Sequence, residues 1–117
     1  MTEVAAGWCL TWSQHPQPPG DHWARTRIEC ETRFPDGSQY TFIREAIVGG
    51  GQRPEDIGTM LDYQIAKKMT EMRRDMYLEW RRKQGFPDKL DREARQNMDR
   101  FAEGRIEPIA HLEGADA

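Results

Sequence analysis

Four side chains able to bind a soft metal flank one proline-rich segment near the start of the chain: Cys9, His15, His22 and Cys30. Thiolates and imidazoles are the zinc-binding groups, so the chemistry fits. Structural zinc sites, however, draw their ligands in close pairs, and the intervals here match no such spacing. Alternation puts Cys9 and Cys30 on strands and aims Cys30 into a core, so the four read as loop histidines and buried thiols. Neither a metal nor another cofactor is expected. Nucleophilic catalysis needs a Cys or Ser, a His and an orienting acid brought together in space, which nearness in sequence does not establish. His111 falls in a tail and Cys30 under a sheet, and no catalytic residue is assigned. Glu29 and Glu31 share the wet face of a strand with arginines, where a solvated charge ladder accounts for them.

Gly49-Gly50-Gly51 ahead of a helix suggests a phosphate loop, because helix N-termini offer free N–H groups to anions. No Gly-Lys-Ser or Gly-Lys-Thr follows, and Glu55 and Asp56 would repel a phosphate, so the run reads as a hinge. Two constellations on the long helix are more informative. Ile57, Leu61, Ile65, Met69, Met72, Met76 and Trp80 recur at steps of three and four, an apolar stripe. At 100° per residue, Tyr63, Lys67, Thr70, Arg74, Tyr77 and Arg81 form a line opposite that stripe, basic and interleaved with aromatics. Such a line could contact phosphates while its tyrosines stack on bases, and Tyr63, Lys67, Arg74, Tyr77 and Arg81 are the candidate nucleic-acid contacts. Dipole-favoured cations and i,i+4 pairs with Glu71 and Glu79 explain the same charges as a solvated face.

These residues must be positioned by a small set of elements. Trp8, Leu10 and Trp12 alternate with Cys9, Thr11 and Ser13, which is the period of a strand. The stretch from His15 to Asp21, with Pro16, Pro18 and Pro19, reads as a loop. Alternation returns from His22 to Phe34. At Pro35-Asp36-Gly37 a three-residue loop with Gly37 in a G1 bulge sets Cys30 opposite Phe42, Thr32 opposite Tyr40, Thr26 opposite Ala46 and Arg27 opposite Glu45. A two-residue loop would leave Tyr40 and Phe42 on the wet face, so the first register is expected, with Ile28 opposite Arg44 its one awkward pair. The return strand ends at Val48. A long helix is predicted from Pro54 to Gln84, stopped by Gly85. At about 1.5 Å per residue it is longer than so small a domain needs. Its Met76 to Trp80 end is the part expected to overhang. Pro87-Asp88 restarts a shorter, antiparallel helix with Leu90, Ala94, Met98 and Phe101 on one face.

The predicted fold is therefore α+β: an N-terminal antiparallel meander of about three strands, packed on a long helix and a second, shorter one. Residues 1–104 are expected to form one domain and residues 105–117 an extended or frayed tail. The 117 residues are 37% hydrophobic and 32% charged, with a formal net charge of -3, which excludes a surface built wholly for DNA or anionic membranes. No apolar run reaches the length of a membrane span and the start lacks a secretory pattern, so a cytoplasmic protein is expected. By elimination the expected function is non-catalytic: a small accessory or regulatory protein that binds another protein or self-associates. The expected anchor is Met76, Trp80 and Phe86, rimmed by Arg73, Arg82 and Lys83. A short chain with an oversized helix and no chemical motif resembles phage-encoded accessory and inhibitor proteins, a likeness carried by no specific motif.

Overall fold

The computed structural model describes residues 2–5, 7–18, 20 and 23–104, with the backbone alone for residues 2–5. His22, His111 and the tail from residue 105 onward lie outside the described residues. Four strands, β1 (Thr2–Ala5), β2 (Trp8–Pro16), β3 (Ala24–Arg33) and β4 (Gln39–Val48), form one antiparallel sheet in chain order. Two helices follow, α1 (Pro54–Lys83) and α2 (Arg92–Ala102). The α+β class, the long strands and the helix order are those expected, and the short β1 adds a fourth strand beside β2.

The hairpin follows from its turn chemistry. Gly37 takes φ 87°, a conformation that costs glycine little because it has no Cβ. Its N–H donates to Phe34 O at 2.9 Å, and Phe34 N–H to Ser38 O at 2.9 Å, which close the three-residue loop. Asp36 Oδ1 accepts from Ser38 N–H at 2.9 Å. Cys30 then faces Phe42, Thr32 faces Tyr40 and Arg27 faces Glu45, as expected. The awkward Ile28–Arg44 pair resolves through the helix: Arg44 leaves Ile28 to the core and ion-pairs with Glu71 and Asp75 of α1.

Two boundaries need correction. His15 and Pro16 belong to β2, not to the loop, paired with Arg27 and Thr26. Hydrogen-bonded and non-hydrogen-bonded pairs alternate along an antiparallel ladder. Gln17 N–H donates to Arg25 O at 3.0 Å, so the Pro16–Thr26 pair is of the non-bonded kind. The nitrogen of Pro16 thus points away from β3, where β1, paired only with Trp8 to Leu10, does not reach. The second helix starts at Arg92 rather than Pro87-Asp88, because Asp91 is the residue that caps it, its side chain accepting from Ala94 N–H at 2.7 Å.

The core lies between one face of the sheet and the C-terminal half of α1, with α2 closing its side. Trp8, Leu10, Ile28, Cys30, Phe34 and Ala46 meet Met72, Met76, Tyr77 and Trp80, and Phe101 comes from α2. Trp8 sits centrally, with ring centroids 5.2 Å from Phe34, 5.5 Å from Trp80 and 5.5 Å from Phe101. Fully burying each such side chain is worth about 1.5–3 kcal/mol, so this cluster dominates the stability. The expected overhang is therefore at the wrong end of the helix. The Met76 to Trp80 end is buried, while Ile57, Leu61, Ile65 and Met69 in the first half are only partly covered. Two layers, the sheet and α2, converge on the second half, and α2 is too short to reach the first.

Candidate functional site

The fold separates the residues that the sequence grouped as a protein anchor. Met76 is 0% exposed and Trp80 3%, so neither can meet a partner. Arg73 lies half-buried with its guanidinium over Trp12, 5.2 Å from the ring centroid. Burial pushes its pKa below the ordinary arginine value, and negative charge on the Cys30 sulfur opposes that shift. Arg82 is exposed and held by Glu79 at 2.9 Å and Asp88 at 3.3 Å. Lys83 extends over Phe34, its Nζ 5.4 Å from the ring centroid. Phe86 sits half-buried at the α1–α2 elbow. An anchor built on Met76 and Trp80 is excluded by their burial, and the cations named as its rim brace the core aromatics and the elbow instead.

The basic line on α1 is also broken. Tyr63 is 66% exposed and Lys67 is open to solvent, but Tyr77 is fully buried and Arg81 only 8% exposed. The cause is α2, which lies along this side of α1: Arg74 ion-pairs with Asp99 at 3.4 Å, and Tyr77 meets the Phe101 ring at 6.0 Å. A helical projection identifies residues that share a side of the helix; it does not reveal that a later helix will cover half of them. The five residues do not form one open surface.

The ligand set of Cys9, His15 and Cys30 is divided by the sheet. Cys30 faces the core, its Sγ 3.6 Å from Thr32 Oγ1. Cys9 lies on the opposite face, where Arg33 Nη2 donates to its Sγ at 3.0 Å. On that outer face Ser13, His15 and Glu29 come together in a way the sequence did not suggest. His15 Nε2 lies 3.2 Å from Ser13 Oγ and 2.8 Å from Glu29 Oε2. A proton relay needs the hydroxyl on one imidazole nitrogen and the acid on the other. Here both crowd onto Nε2, and Arg27 further occupies Glu29 at 3.0 Å. The trio is a surface polar network and not a nucleophile.

The feature left is the open side of the sheet. β4 is its last strand, ten residues long, and among the described residues no strand pairs with its outer edge. Phe34 N–H bonds to Ser38 O, so alternation along the ladder directs the N–H and C=O groups of Gln39, Thr41, Ile43, Glu45 and Ile47 outward. Apolar side chains stand on both faces of this edge. Ile43 and Ile47 are each 55% exposed on the outer face. On the helix side the Tyr40 and Phe42 rings meet at a tilt of 39° with centroids 4.7 Å apart and line a groove of about 290 Å³ with Asp75, Leu78, Glu79 and Arg82. Sequence reasoning placed these residues in the right register, but a strand's rank within a sheet is not encoded in its own alternation.

The chain matches no protein-family model, no curated protein and no solved structure. Its geometry alone therefore carries the functional argument. No helix of the described residues is long and apolar enough to cross a membrane.

Proposed function

We propose that this protein is a non-catalytic accessory protein that works by association, and that a second copy of the chain adds to its sheet along β4. The observation that carries this reading is the open ten-residue edge with exposed apolar side chains on both of its faces. Unpaired strand edges are templates for further pairing, and folds that avoid it shorten, bury or kink them. The other side of this sheet is interrupted in that way: β1 has four residues and pairs only with Trp8 to Leu10, and the stretch of β2 beyond it ends on Pro16. β4 is long and regular. Its inward charge, Arg44, is neutralised by Glu71 and Asp75 and need not repel an approaching strand. A second copy is favoured as the occupant because β4 can pair with itself antiparallel without opposing like charges.

The test exploits the direction of the Ile43 N–H. Replacing it by proline removes an outward donor while leaving the β3–β4 ladder its hydrogen bonds. Light scattering over a concentration series should give a mass approaching twice the monomer for the wild type and the monomer mass for Ile43→Pro, with matching circular dichroism. A wild type that stays monomeric at its highest soluble concentration removes the reading.

A further inference from the structure

Arg81 is the one charged residue among the described residues that is more than nine-tenths buried. Its Nε is enclosed and has no hydrogen-bond partner, and no described carboxylate lies within ion-pair distance of it. The neighbouring arginines differ in this respect: Arg74 has Asp99, and Arg82 has Glu79 and Asp88. The Phe86 ring covers one face of the Arg81 guanidinium, 4.6 Å from Cζ to the centroid. Stacking leaves the planar edge of the guanidinium, with its fork of N–H donors, as the part that can bind. An unpaired cation taken out of water is costly, and an acceptor arriving from outside offsets that cost.

Room for such an acceptor exists beside it. Arg81 lines a cleft of about 420 Å³ at the α1–α2 elbow, together with Phe86, Pro87, Lys89, Leu90 and Asp91, a volume in the range of small-ligand sites. The lining carries two cations, Arg81 and Lys89, against one carboxylate. That carboxylate, Asp91, is engaged in capping α2 through Ala94 N–H. The net lining charge is therefore positive by one. Phe86, Pro87 and Leu90 supply an apolar wall.

We propose that the elbow cleft binds a monocarboxylate carried on an apolar or aromatic group, with the carboxylate paired to the guanidinium edge of Arg81 and the apolar body against Phe86 and Leu90. Lys89 supplies longer-range attraction from the rim. The carboxylate could belong to a free organic acid or to the C-terminus of a peptide chain, which present the same group. This site is independent of the β4 edge.

The experiment uses the full chain and sodium phenylacetate as probe, followed by the Arg81 Nε–H resonance in proton–nitrogen spectra. Saturable movement of that resonance is expected, with no movement on adding the neutral isostere phenylacetamide. In the variants, where that resonance is absent, binding is followed through the backbone amides of Phe86 and Leu90 in the cleft wall. Arg81→Met should weaken phenylacetate binding by at least about tenfold, as loss of a bidentate charged pair implies. Arg81→Lys, which keeps the charge and loses the fork, should fall between the two and serves if the Met variant fails to fold. A second arm compares an acetylated tripeptide ending in Phe with its C-terminal amide. Tighter binding of the free-acid peptide than of phenylacetate identifies a chain terminus as the ligand, and exclusion of the peptide identifies a free acid. An Arg81 resonance that does not move at saturating phenylacetate, or that moves equally with phenylacetamide, overturns the proposal.

Discussion

Trp80 touches Trp8 and stacks on Phe34, with centroids 5.9 Å apart and planes inclined by 13°. Truncating it removes a large buried ring from the centre of the core. Trp80→Ala should destabilise the fold by about 3–5 kcal/mol, read from the midpoint of urea unfolding; a loss below about 1 kcal/mol, typical of a surface site, would contradict the core assignment. Ionisation is constrained at two buried positions nearby. Burial pushes the Cys30 thiol above its usual 9.0, with the Thr32 hydroxyl opposing. Burial likewise raises the Tyr77 phenol above 10.0, and the Arg81 charge opposes it without a hydrogen bond of good geometry. Both groups hold their protons more tightly in the folded state than in the unfolded one. Their contribution is thus fully present below about pH 9 and is lost as the pH rises through the raised values. Unfolding midpoints at pH 8, 9 and 10 should fall progressively, and Cys30→Ala should delay the onset of the fall toward pH 10. A flat profile would show that neither group is shielded. At this scale the sequence revealed the inward methionines and the inward Cys30, because periodicity reports which face is apolar. It did not reveal Tyr77 and Arg81, whose burial depends on a helix that follows them.

The second helix shows how local chemistry fixes an element and how it can mislead. Pro87-Asp88 has the look of a helix start, yet Asp88 ion-pairs with Arg82, and the capping carboxylate belongs to Asp91. Glu93 in the first turn and Arg100 in the last suit the dipole of a helix that starts at Arg92. Asp91→Ala should therefore cost about 1 kcal/mol, and Asp88→Ala, which removes only an exposed ion pair, less than about half that. Equal losses in thermal unfolding would point to a helix that starts further upstream. The hairpin was more legible than the helix start. Only one loop length places Tyr40 and Phe42 on the helix side, and Gly37 alone among its neighbours suits the left-handed position. Register is a discrete choice with a large penalty for error, whereas helix boundaries shift by a few residues at little cost.

On the scale of the whole molecule, sheet order decides which surfaces are left over, and order depends on how strands assemble rather than on any one of them. That is why Ile43 and Ile47 drew no notice in the sequence and become prominent on an open edge. The same edge allows a sharper prediction about the assembly. In an antiparallel pair of β4 strands around a two-fold axis, residues on one face must oppose residues on the same face, which leaves four registers with substantial overlap. Centring on Arg44 or Glu45 sets like charges against each other, and centring on Phe42 shortens the overlap. Centring on Ile43 keeps Gln39 to Ile47 paired, with Ile43 opposite its own copy, Thr41 opposite Glu45 and Phe42 opposite Arg44. Directly opposed residues of this kind have Cα atoms about 5.5 Å apart, within reach of a disulfide. Ile43→Cys should consequently form a covalent dimer under mild oxidation, and Glu45→Cys should not, because in this register Glu45 faces Thr41 of its partner. Cross-linking through position 45 with none through 43 would keep strand pairing but reject the register, and cross-linking at neither would leave β4 without a second copy beside it.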